Sequence, residues 1–175
     1  MSSANQTART TRCGASAVAL LAGCALALAA CGSSGPSKSE YIAKANPICE
    51  SARAQTGPLI QEVTKAAVGL AKGQASAVAQ LSSGIGALHA IAVSAQEKLE
   101  KLKQPSGAHA AIEKFLKPFS EVVDSLAQAA TMFGKGQAQQ GFALLEQIRP
   151  ASQLATSGAQ AYGLTQCQTV LSALG

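Results

Sequence analysis

The chain has 175 residues, enough for one domain, and a formal net charge of +5. Hydrophobic residues make up 47% of it but aromatics only 3%, with no Trp, so Ala and Leu dominate the apolar content and favour helices over sheet. Beyond Cys31 there are 12 Lys+Arg against 9 Asp+Glu; these cations are dispersed and have no aromatic neighbours to stack bases, which argues against a nucleic-acid partner.

Residues 1–12 are polar, with Arg9 and Arg12 and no acid, and residues 13–30 are apolar or small throughout. A positive segment followed by an apolar one is the layout of a secretory signal peptide. A retained membrane helix is the rival reading. The apolar run of 18 residues is near the lower limit for a span, Ala and Gly weaken it, and no Lys/Arg cluster stops it.

Leu21-Ala-Gly-Cys24 and Leu28-Ala-Ala-Cys31 both resemble the lipobox of bacterial lipoproteins, in which a signal peptidase cuts before the Cys and that Cys carries acyl chains. The residues after each cysteine separate the two motifs. Six more apolar residues come after Cys24, whereas Gly-Ser-Ser-Gly-Pro-Ser-Lys-Ser comes after Cys31, a composition suited to a solvated tether. Cys31 is therefore the expected lipid attachment, with 1–30 a cleaved signal peptide and 31–38 a flexible tether. The resemblance implies a protein held by its acyl chains at the extracytoplasmic face of the cell membrane, where two or more chains anchor stably. Cys13 and Cys24 then leave with the signal peptide, and Cys49 and Cys167 remain. An even pair in an exported domain predicts a disulfide; two buried free thiols are the alternative.

From residue 39 to 175 apolar residues recur at steps of three and four, the signature of amphipathic helices. Ser37-Lys-Ser-Glu40 offers a capping box before a first run, Ile42 to Leu70, in which Pro47 and Gly57-Pro58 predict kinks or a break. A second run, Val78 to Leu102, stops at Gln104-Pro-Ser-Gly107. A third, Ile112 to Phe133, contains Pro118 and stops at Gly134-Lys-Gly136. A fourth, Gln137 to about Leu174, is the least regular because of Pro150 and Gly163. Four such segments with short connections predict an all-α fold, an antiparallel up-down four-helix bundle with kinked helices, stapled by one disulfide. The topology puts the start of the first helix beside the end of the fourth, and so Cys49 beside Cys167. Lys-Gly-Gln-Ala occurs at both 72–75 and 135–138, either as two independent glycine helix stops or as the trace of a duplicated hairpin.

Tyr41-Ile-Ala-Lys-Ala-Asn-Pro-Ile-Cys49 and Ala161-Tyr-Gly-Leu-Thr-Gln-Cys167 resemble a pattern in small secreted or lipid-anchored actinobacterial proteins. The resemblance covers both ends of the domain but not its middle. It implies the same helical fold and terminal disulfide, and no activity.

Catalytic chemistry finds little purchase. Seven of the nine carboxylates have a cation three or four residues on, the spacing of helix-surface ion pairs. Glu121 and Asp124 are left over, and His89 and His109 lack the i, i+3 or i, i+4 companions of a helical metal site. Met132 is the sole methionine besides the initiator, and Ser82-Ser-Gly-Ile-Gly86 reads as close helix packing rather than a phosphate loop. No catalytic residue, metal site or cofactor is predicted. The expected function is a non-enzymatic, lipid-anchored helical module that binds an envelope protein or organises a complex. The alternative is a carrier of a small apolar ligand or lipid in a cavity between helices.

Overall fold

The structure, a computed structural model, describes residues 35–173. The expected signal peptide and the lipid-attachment Cys31 lie outside those residues. Residues 33–175 form a compact unit, and its described part is built from helices alone: α1 (Lys38–Ala71), α2 (Ala77–Glu100), α3 (His109–Gly134), α4 (Ala138–Tyr162) and α5 (Thr165–Ser172).

The first helix begins where the capping box predicts. Glu40 N–H donates to Ser37 Oγ at 3.2 Å, and the Glu40 carboxylate accepts from the Ser37 N–H at 2.7 Å, so each end of the box satisfies a donor that the first helical turn leaves unpaired. Pro47 and Pro58 both lie inside α1 without breaking it. Each removes one i→i−4 hydrogen bond, but Ala45, Cys49, Ala52, Thr56 and Ala66 all face the core, and their shared burial holds the helix through both sites. Pro118 and Pro150 are likewise internal to α3 and α4.

Lys72-Gly73-Gln74 and Lys135-Gly136-Gln137 end α1 and α3 in the same way. Gly73 and Gly136 have φ of +77° and +75°, and Gln74 and Gln137 N–H reach back to the carbonyls of Gly69 and Met132. This is the Schellman closure that a left-handed glycine permits, and it accounts for both tetrapeptides locally.

The fourth predicted segment divides in two. Gly163, at φ +93°, ends α4 with the same closure, Leu164 N–H to Ala159 O at 2.8 Å, and the chain turns back into α5. Contacts along α5 give its direction. Gln166 meets Asn46, Cys167 meets Cys49, and Ala173 lies with Ile60 and Val63. It therefore runs parallel to α1 and antiparallel to α4. Neighbouring helices pack in sequence order, α1 on α2, α2 on α3 and α3 on α4, and α5 joins α4 to α1. The four long helices form the bundle, and the fifth closes it.

The core is the predicted stripe, with Leu81, Ile85 and Leu99 of α2 and Ile112, Phe115, Phe119 and Phe133 of α3 buried. By length and hydropathy α2 would pass for a membrane span, but its apolar side is packed within the bundle. Small residues set how closely the helices approach. A Cβ on Gly158 would lie 2.6 Å from the Lys114 carbonyl carbon and 2.8 Å from Phe115 N. Pro118, lacking an N–H, leaves that Lys114 carbonyl without its helical donor, and the Gly158 backbone packs against it.

Candidate functional site

The two cysteine motifs meet along one seam. The Cys49–Cys167 disulfide joins α1 to α5 with Cα atoms 4.8 Å apart. One turn before it, Asn46 Oδ1 accepts from the Gln166 backbone N–H at 3.3 Å, supplying the first turn of α5 with a cap that Leu164 cannot offer. One turn earlier again, the Tyr41 ring meets the Tyr162 ring edge-on at 5.8 Å, and Lys38 Nζ lies 4.8 Å over Tyr162. Ser152 Oγ donates to the Leu171 carbonyl at 2.6 Å from the α4 side, satisfying an orphan at the far end of α5. Both motifs thus encode the clasp that holds α5 in place. Asn46 and Ser152 escaped the sequence reading; for Asn46 the available signal was a polar residue one turn before the cysteine.

Among the described residues neither tyrosine hydroxyl has a hydrogen-bond partner, and both are buried. Burial pushes the Tyr41 hydroxyl up to about 12, with smaller contributions from Tyr162 and Glu113, and burial raises Tyr162 as well.

The titratable residues left over from the sequence do not converge. Glu121 and Asp124 are exposed along α3, His89 is half-buried on α2, and exposed His109 shares a hydrogen bond with Gln104 Oε1 at 3.1 Å. Among the described residues no group of three or more His, Cys, Asp or Glu could hold a metal ion. Of the predicted ion pairs, Glu97–Lys101 and Glu146–Arg149 close at 3.5 and 3.8 Å on exposed faces. Glu40 instead serves the cap, and Ser37 lowers its pKa through the backbone and hydroxyl hydrogen bonds.

Among the described residues the core is closely packed. The void between Cys49, Thr56, Leu88, Phe115, Phe119 and Leu171 measures about 20 Å3, the size of a single water. A cleft of about 160 Å3 opens where α5 ends, between Ile60 and Val63 of α1 and Leu145 and Ile148 of α4; it matches a benzene-sized group rather than a lipid. An apolar surface groove of about 530 Å3 runs between α3 and α4. Pro118, Leu154, Gly158 and Ala161 line it, Lys114 and Lys117 edge it, and Leu154 is 60% exposed. The sequence reading missed this groove because Leu154 falls off the apolar stripe of its helix.

Charge divides unevenly along the bundle. At the end where α1 begins lie Lys38 and Lys44 of α1, Lys98 and Lys101 of α2, Lys103 beyond it, and Lys114 and Lys117 of α3, against Glu40, Glu97, Glu100 and Glu113. The rest of the described chain balances Arg53, Lys65, Lys72, Lys135 and Arg149 with Glu50, Glu62, Glu121, Asp124 and Glu146. These stretches, at the start of α1, the end of α2 and the start of α3, thus carry an excess of three positive charges.

No protein-family model, curated protein or solved structure matches the chain.

Proposed function

We propose that this is a lipid-anchored helical module of the extracytoplasmic membrane face, attached through Cys31, which binds an envelope partner at its surface rather than acting as an enzyme. The filled core carries the choice of binding mode. With a 20 Å3 void at its centre the bundle lacks the few hundred Å3 that a buried drug-sized ligand occupies, so recognition falls to its outer faces. The Cys49–Cys167 disulfide supports an oxidising compartment. The residues after Cys31, and those after Cys24, support Cys31 as the point of attachment.

Intact mass measurement on the protein purified from the membranes of its own host tests the reading. The expected species is residues 31–175 carrying acyl chains and one disulfide, with no other bound molecule under native conditions. A mature chain beginning elsewhere, or one without acyl chains, would refute the anchor. A co-purifying lipid or small apolar molecule would replace surface binding by the carrier alternative.

A further inference from the structure

We propose that the end of the bundle from which the N-terminal segment emerges docks directly on an anionic phospholipid bilayer, using the lysines around the start of α3 and the apolar groove beside them. This deepens the reading above and rests on it for delivery of the domain to a membrane, though the contact itself is made by the folded domain and needs no acyl chain.

Three observations converge. Exposed lysines at the start of α1, the end of α2 and the start of α3 outnumber the acids of the same stretches by seven to four. A negatively charged surface attracts each lysine within a Debye length of it. The N-terminal segment arrives at the same end, since Gly35 packs against the Gln104–Ser106 loop, where a Cβ would lie 3.2 Å from Gln104 O. A short tether attached there keeps this end nearest the bilayer. Finally, the α3/α4 groove begins at this end, at Ala110 and Ala161, and runs to Pro118 and Leu154. Leu154, 60% exposed, is available to enter the headgroup region while Lys114 and Lys117 extend along the groove edge to phosphates, the division of labour expected of amphipathic side chains at a membrane interface.

A planar anionic surface fits better than an acidic protein segment. The lysines are distributed over three helix ends rather than gathered along the groove, whose own edge holds Lys114 and Lys117 beside Glu113. A single acidic helix in the groove would meet few of them; a bilayer meets them together.

Residues 33–175 form a compact unit whose described core is made of its own side chains, so this unlipidated domain is the material for the test. Co-sedimentation is measured with vesicles of equal parts phosphatidylglycerol and phosphatidylcholine, and with phosphatidylcholine alone. Binding is expected to the anionic vesicles only, and to disappear at about 1 M salt, where the screening length shrinks to roughly 3 Å. Lys114→Gln and Lys117→Gln should each weaken it roughly fivefold, and Leu154→Ser should weaken it without changing helicity. Lys65→Gln and Lys72→Gln, at the far end, should leave it unchanged. Equal partition into neutral vesicles, absence of binding to either, or an equal loss from the far-end pair overturns the proposal. Binding to polyglutamate without binding to anionic vesicles also overturns it and assigns the face to an acidic protein. None of these results bears on whether Cys31 is acylated, which the intact mass decides separately.

Discussion

Asn46 on α1 accepts a hydrogen bond from the backbone of Gln166 across 120 residues of chain, capping a helix to which it does not belong. A short helix of eight residues has little stability alone, because nucleation fixes several residues for each hydrogen bond gained. α5 is held by what α1 and α4 present to it: a cap, a disulfide, and the Ser152 hydroxyl. Asn46→Ala removes the cap without creating a clash. It is expected to destabilise the domain by about 1 kcal/mol, read as a lower denaturant midpoint at unchanged slope.

The disulfide contributes more. Its two cysteines are 118 residues apart, and closing a loop of that length in the unfolded chain is worth about 4–5 kcal/mol in the chain-entropy model. The double variant Cys49→Ser, Cys167→Ser should lose stability of that order. Amide exchange should accelerate first in 165–172, since α5 is the element whose attachment is cut, while α2 and α3 keep their protection. Uniform loss of protection across all helices would contradict the view of α5 as a separately clasped element.

Most of the architecture was legible because helix periodicity and the core share one origin. Every apolar position traced on the third run, from Ile112 to Phe133, is buried, since the pattern of one helix face is local in sequence. The pairing of Cys49 with Cys167 came from topology. The illegible part is non-local. Gly163 could be read as an irregularity, but not as a reversal that sends α5 back beside α1, because its partners on α1 lie more than a hundred residues away. Phe142 fits the periodic pattern yet is partly exposed, and it finds an edge-on partner in Phe133 at 5.1 Å. The lysine-edged groove arises from where two helices meet, and neither helix displays it alone.

Close approach of α3 and α4 predicts opposite outcomes for two glycine substitutions. Gly158→Ala drives a methyl into the Lys114 carbonyl and the Phe115 backbone, atoms that move only with α3 itself. A loss of about 1–3 kcal/mol is expected, the usual cost of overpacking. Gly86, in mid-α2, has nothing within 4 Å of a built Cβ, so Gly86→Ala should gain about 0.5–1 kcal/mol from helix propensity and reduced unfolded-state entropy. Thermal melts of both variants decide it, and equal shifts would discount the crossing.

Tyr41 and Tyr162, the sole tyrosines of the chain, make an alkaline limit that optical titration can read. Burial raises the Tyr41 pKa to about 12, against about 10 in the unfolded chain. The neutral hydroxyl is thus favoured in the native state. The associated stability is intact below pH 10 and is lost as pH rises from about 10 through 12, by up to about 2–3 kcal/mol for a shift of two units. Tyrosinate absorbance is therefore expected to lag behind that of free tyrosine and then to rise together with loss of helicity. Because the Tyr41 hydroxyl is buried without a partner among the described residues, Tyr41→Phe removes a desolvated polar group while keeping the ring against Tyr162. That variant should be about 1 kcal/mol more stable at neutral pH and should resist alkali longer. Destabilisation by Tyr41→Phe would mean that the hydroxyl is engaged, by water or by Glu113, and that burial is not what holds its proton.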